Sequence, residues 1–168
     1  MARNIELKAR LNDPEAARKT AAAIATKRLG TQHQIDTYFA CRHGRLKLRQ
    51  IDGLSAQLIA YARPDRDGPK ASDYRLVPVA NPETLKAALA AALGVEVVVE
   101  KRREILLHEN VRIHLDEVAD LGHFLEFEAV LGPEVDDAAG RAQVERLMER
   151  FAIGQGDLLS GSYADMIG

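Results

Sequence analysis

Polar and apolar residues alternate along several short stretches of this chain, the two-residue period of strands with one buried face. Ile5, Leu7, Ala9 and Leu11 share one face of a first segment, and Asn4, Glu6, Lys8 and Arg10 share the other. In a third segment Leu46 and Leu48 oppose Arg45, Lys47 and Arg49. Tyr61 and Arg63 lie on one face of a fourth, and Lys101 and Arg103 share a face later in the chain. Val111, Ile113 and Leu115 oppose Arg112, His114 and Asp116; Leu125 and Phe127 oppose Glu126 and Glu128. Helix punctuation interrupts this pattern twice. Asp13-Pro14-Glu15 sets an N-cap, a first-turn proline and an acid ahead of an alanine-rich stretch, which predicts a helix to Leu29 with a stop at Gly30. Asn81-Pro82-Glu83 repeats the device, with a helix to Leu93 and a stop at Gly94. Strand-like segments at 3–11 and 71–79 precede these helices. Three more strands follow each, with tight turns near His43-Gly44 and Glu109-Asn110.

The two halves keep step. Pro14 to Pro82 spans 68 positions, Gly30 to Gly94 spans 64, and Gly44 to Asn110 spans 66. This predicts one domain over 1–168, built of two strand–helix–three-strand units at roughly 1–70 and 71–135. A helix near 137–151 follows, with Val144, Leu147, Met148 and Phe151 at core-facing spacing, and a short tail runs from Asp157. The expected class is α+β with about eight mainly antiparallel strands.

The polar strand faces could simply be solvated, as antiparallel sheets allow. Their sorting by sign argues otherwise, because like charges on neighbouring positions of one face repel. One strand is cationic at three alternate positions, and another is anionic at both. Lys8, Lys47, Arg49, Arg63, Arg75, Lys101, Arg103 and Arg112 are eight cations; Glu6, Asp116, Glu126 and Glu128 are four acids. If all faced one cavity it would carry +4, the remainder −6, and the whole the observed −2. A basic cavity in an acidic exterior suits a compact, highly charged anion, whereas duplex DNA requires an exposed basic surface. The carboxylates are the oxygen ligands that Mg2+ or Mn2+ prefers. A phosphate chain with a divalent metal is the expected occupant.

Composition narrows the classes further. Hydrophobic residues make up 46% and charged residues 29% of 168, the balance of an ordinary globular chain. With Cys41 as the lone cysteine there is no disulfide framework, and without a histidine or acid constellation to activate it a structural thiol is expected rather than a nucleophile, basic neighbours such as Arg42 being the one hint otherwise. The first residues hold no signal-like apolar core, and no run approaches the roughly 18 apolar residues of a membrane span, so a cytoplasmic protein without membrane or nucleic-acid partners is expected. The five histidines show no zinc spacing; only His114 is expected in the lumen, where it would help hold phosphate. Tyr38 and Phe39 occupy opposite faces of their strand, and Lys70 and Ser72 sit beside a polar loop where they could rim an entrance.

These residues resemble the CYTH family, the triphosphate tunnel metalloenzymes, along nearly the whole chain. Ile5-Glu6-Leu7-Lys8 is similar to the second half of the family's N-terminal Glu-x-Glu-x-Lys signature. Asp36-Thr37-Tyr38-Phe39 resembles its second-strand motif, and Gly44-Arg45-Leu46-Lys47-Leu48-Arg49 its basic third strand. Tyr61-Ala62-Arg63-Pro64, Lys101-Arg102-Arg103, Arg112-Ile113-His114-Leu115-Asp116 and Glu126-Phe127-Glu128 follow in the expected order. The resemblance implies a closed eight-stranded antiparallel tunnel with a charged lumen and helices outside. It implies a phosphate grip of Lys8, Lys47, Arg49, Arg63, Lys101, Arg103 and Arg112, and Glu6, Asp116, Glu126 and Glu128 as ligands of Mg2+ or Mn2+. Glu6, Asp116 and Glu126 would then be the catalytic carboxylates. Asn4 stands where the family's first glutamate is expected, which removes one negative charge from the metal site. The second-strand, third-strand and Arg112–Asp116 motifs look closest to class IV adenylyl cyclases, which form cyclic AMP and pyrophosphate from ATP. A triphosphatase acting on tripolyphosphate or an organic triphosphate is the alternative, and a non-catalytic polyphosphate or nucleotide binder is a third. The apolar outer strand faces would suit a homodimer unless the helices cover them.

Overall fold

In the computed structural model, which describes residues 2–167, the first strand β1 (Ala2–Arg10) is the seam of a closed barrel. It pairs along one side with β8 (Gly122–Val130) and along the other with β5 (Lys70–Pro78). From β5 the ring continues through β4 (Ser55–Ala62), β3 (Arg45–Ile51), β2 (Lys27–Phe39), β6 (Val95–His108) and β7 (Val111–Val118) back to β8. Every pairing is antiparallel. Closure leaves no long free edge for another chain to pair with. The eight-stranded antiparallel tunnel with outer helices that the sequence led us to expect is therefore the fold.

Helix α1 (Pro14–Ile24) starts where the punctuation places it, the Asp13 carboxylate accepting the Ala16 N–H at 3.1 Å. It stops five residues short of the expected Leu29. The Thr26 N–H donates to the Leu107 carbonyl at 2.7 Å, and Lys27 onward is drawn into the long β2–β6 ladder. Helix-forming residues there lose to cross-strand pairing, and Gly30 (φ +88°) takes up the register shift that follows Arg28. Helix α2 (Pro82–Leu93) ends at Gly94 as expected, and α3 (Asp137–Arg150) stops one residue before the expected Phe151.

The apolar strand faces point outward and are covered. Ile5, Leu7, Ile113, Leu125 and Phe127 are buried beneath Ala17 and Ala21 of α1 and Val144 and Leu147 of α3. Fully burying each large side chain of this kind contributes about 1.5–3 kcal/mol. A smaller cluster, Phe39, Leu48 and Ala56, packs under Leu85 and Leu89 of α2. A third cluster lies on the lumen side and fills one end of the barrel. There Val99, Val118 and Phe124 meet Tyr163 and Ala164 of a short C-terminal helix, α4 (Tyr163–Ile167). The chain reaches this end through β9 (Leu158–Leu159), which pairs with Lys8 and Ala9 beyond the point where β5 leaves β1. No helix among the described residues is long and apolar enough to cross a membrane.

Candidate active site in the tunnel

With the apolar residues turned out, the alternate positions of every strand turn inward and charge the lumen. All seven cations of the expected phosphate grip line one cavity of about 330 Å3, together with Glu6, Glu126 and Glu128. Asp116 does not line it. It lies fully buried on the same inward face as Arg112 and His114, beneath the lining at the filled end, where Arg103 holds both its oxygens at 2.8 Å and the Tyr163 hydroxyl donates to one of them at 2.6 Å. Burial would raise the proton affinity of Asp116, but Arg103 outweighs it and brings the carboxyl down to about 2. Arg75, counted with the cavity cations from the sequence, points outward and is exposed, while its neighbours Tyr74 and Leu76 line the lumen.

Asp36 is the residue that the sequence reading left out of the site. It has no exposed surface and gathers three cations: Arg49 through two bonds of 2.8 Å, Lys101 at 2.9 Å and Lys47 at 3.2 Å. Burial pushes its proton affinity up, yet Arg49, Lys101 and Lys47 hold it well below the usual carboxylate range. The signal was available: Asp36 shares its β2 face with Gln34 and Tyr38, both of which line the lumen. Seven cations thus face five carboxylates, an excess of two positive charges rather than the four counted from the sequence.

The remaining carboxylates divide into two kinds. Glu6 is committed to Arg63, whose guanidinium donates to it; burial nonetheless raises the proton affinity of Glu6 against that pull. Glu126 faces Arg103 at 3.5 Å and Lys8 at 3.8 Å; burial acts to raise its proton affinity, and these cations, Arg103 foremost, hold it well below the usual range. Glu128 accepts from the Asn4 amide at 2.9 Å. His114 brings its Nδ1 to 3.2 Å from Glu128 and 3.6 Å from Glu126. Donor atoms of His114, Glu126 and Glu128 all lie within 4.8 Å of one another. Asn4 Oδ1 and His114 Nδ1 are buried there without a hydrogen-bond partner at bonding geometry. A buried polar atom left unpaired costs about 1–3 kcal/mol, so this corner fits a divalent cation that would take up those lone pairs.

Aromatic side chains close the inner end. Lys8 lies 3.8 Å above the Tyr163 ring, and burial pushes its ammonium down to about 8. Tyr38 and Tyr61 flank Lys47 and, with Arg63, also line a second hollow of about 300 Å3 on their far side. Tyr163 and Ser162 reach the lumen from the C-terminal tail, where no strand alternation exists to announce them. Elsewhere the lining mixes Leu29, Ile51, Ile59, Leu76 and Ile105 with the neutral polar side chains of Gln32, Gln34, Gln57 and Ser72. Lys70, considered for an entrance rim, is fully buried instead and ties the Arg66 and Ser160 carbonyls together at 2.9 and 2.6 Å.

Comparison with known proteins agrees with this geometry. A family profile described as CYTH domain matches residues 2–163. No curated protein sequence matches the chain. Among solved structures, a protein of Pyrococcus horikoshii aligns at 23% identity and a TM-score of 0.85, over 98% of this chain and 99% of its own. A protein of Vibrio parahaemolyticus, provisionally named an adenylate cyclase, aligns at 20% identity and a TM-score of 0.80, over 98% and 97%. A Hippeastrum protein, provisionally named an adenylyl cyclase and described as having a dominant triphosphatase activity, aligns at 16% identity and 0.63, over 95% and 91%. At such identities these likenesses speak to the fold.

Proposed function

The chain belongs to the CYTH domain family, and on that footing we propose that it is a divalent-metal-dependent enzyme that converts ATP to cyclic AMP and pyrophosphate in its tunnel. The observation that carries a triphosphate substrate is the convergence of seven cations on one closed lumen. Lys47, Arg49 and Lys101, held ready by Asp36, and Lys8, Arg63, Arg103 and Arg112 along the adjoining walls would grip the phosphate chain. Guanidinium groups suit this task because their fork matches two phosphate oxygens at once. Fixing the phosphates in a walled site supplies orientation and charge neutralisation, the main demands of phosphoryl transfer.

Glu126 and Glu128 are the carboxylates to hold the metal. A divalent ion bound there would stabilise charge on the phosphate oxygens and make the attacking hydroxyl easier to ionise. Glu6 is suited to accept the proton of that hydroxyl, since its proton affinity is raised while those of Asp116 and Glu126 are depressed. Asp116 acts at one remove by fixing Arg103 and Tyr163. Leu29, Ile51, Ile59, Leu76 and Ile105, set among the amides of Gln32, Gln34 and Gln57, support an organic substrate, because tripolyphosphate would leave those apolar side chains uncovered. One observation favours a second reading, hydrolysis by a triphosphatase tolerant of its organic group: Leu29 and Leu76 among these are 48% and 44% exposed, an open seat for a base.

Incubation with ATP or with tripolyphosphate, each with Mg2+ or Mn2+, separates the readings on anion exchange. Cyclic AMP with pyrophosphate supports the cyclase; orthophosphate without cyclic AMP supports the triphosphatase. Glu126→Gln should abolish either reaction with the fold intact, and full activity in that variant overturns the carboxylate–metal arrangement.

A further inference from the structure

His114 lines the lumen beside Glu126 and Glu128, and its imidazole is a nitrogen donor that a carboxylate-only metal site does not use. It sits on β7 directly opposite Glu126 of β8 and diagonal to Glu128. It is 4% exposed, and its Nδ1 lies within 3.6 Å of a carboxylate oxygen of each yet forms no aligned hydrogen bond with either. Ligands that share one ion at about 2.1 Å stand roughly 3 Å apart, close to this spacing. The neighbouring Asn4 amide spends its N–H on Glu128 and leaves Oδ1 without a partner, so a neutral oxygen stands where a further anionic ligand would strengthen a hard-ion site.

We propose that His114 is a direct nitrogen ligand, so that the tunnel holds a mixed imidazole–dicarboxylate site selective for first-row transition ions such as Mn2+ or Co2+ over Mg2+. This rests on the reading that Glu126 and Glu128 hold the metal. Mg2+ keeps oxygen ligands and several waters and gains little from an imidazole. Ions of the Mn2+-to-Zn2+ series gain from nitrogen donors, and losing one carboxylate weakens them less when imidazole replaces it. The site therefore discriminates by ligand type where charge alone would not.

The test is Mn2+ binding to the full chain without substrate, followed by loss of the free-ion electron paramagnetic resonance signal, with Mg2+ as competitor. Pulsed measurements on bound Mn2+ should show coupling to one imidazole nitrogen. Labelling histidine with 15N in the wild-type protein should change that coupling, which requires no variant to fold. His114→Gln should remove it, weaken Mn2+ at least about tenfold and leave Mg2+ within about threefold. If Mn2+ binds, Glu126→Gln abolishes that binding, and no nitrogen coupling is seen, the imidazole ligand is overturned and the carboxylate reading stands. If Mn2+ binding is indifferent to Glu126→Gln, the ion is held elsewhere and both fall.

Discussion

Asp36 lies buried beneath the lining of the tunnel, on the far side of three cations that face the cavity. Its single negative charge keeps Lys47, Arg49 and Lys101 together, and no solvent reaches it. Removing one partner of a buried ionic cluster costs about 3–5 kcal/mol because the rest is left uncompensated. Asp36→Asn should therefore lower the melting temperature markedly, and tripolyphosphate should restore much of the loss by supplying the missing charge. An equal loss with and without tripolyphosphate would rule out this charge-balancing role. Lys8 gives a second test at the same scale. Burial brings it down to about 8, so it is charged below that pH and increasingly neutral above it. A bound polyanion favours the charged form, so binding above this pH must take up a proton. Triphosphate affinity should be level to pH 8 and then fall about tenfold per unit. Titration calorimetry in buffers of different ionisation heat measures the uptake, and Lys8→Arg should flatten the profile.

The elements differ in how strongly their own residues define them. Asp13 and Pro14 start α1 by local chemistry, and the alternation of β1, β7 and β8 sorts side chains to two faces without outside help. The end of α1 is decided instead by pairing with β6, which no window around Lys27 contains. The same holds for the β9–α4 tail, whose role comes from what it covers. Tyr163 packs on Phe124 with ring centres 5.0 Å apart and donates to Asp116, closing the end of the barrel near Lys8 and Lys101. Tyr163→Phe should cost about 1.5–3 kcal/mol, the range for a hydrogen bond to a charged group. Tyr163→Ala should cost about 3–5 kcal/mol because it also opens the packed floor. Urea denaturation of the two variants checks the difference; equal losses would mean that the ring closes nothing.

At the scale of the whole molecule the barrel is turned inside out, its apolar faces under helices and its charges within. Asp36, Asp116 and Glu126 are held below the usual carboxylate range in the folded protein. Such groups stabilise the fold fully above the unfolded range, near about 4. Their contribution is lost as pH falls through the folded values, which for Asp116 is about 2. Glu6 acts in the opposite sense, its raised proton affinity taking stability away as it ionises. Denaturant midpoints measured from pH 7 to pH 2 should therefore show the main loss between about pH 4 and pH 2. A loss already complete at pH 4 would contradict the inward clusters.

Two-residue alternation fixes which side of a strand each residue takes, whatever the fold. For that reason the seven lumen-facing cations, the three lining glutamates and the antiparallel class were legible in the alternation, as was the inward face of Asp36 beside Gln34 and Tyr38, whereas closure of the barrel was implied only by the family resemblance. Alternation carries no information on which inward groups meet. Pairing across strands decided that Asp116 serves Arg103 and Tyr163, that Arg75 faces out, and that His114 joins Glu126 and Glu128. Those contacts join residues distant in sequence, and their geometry is set by barrel closure, a property of all eight strands together.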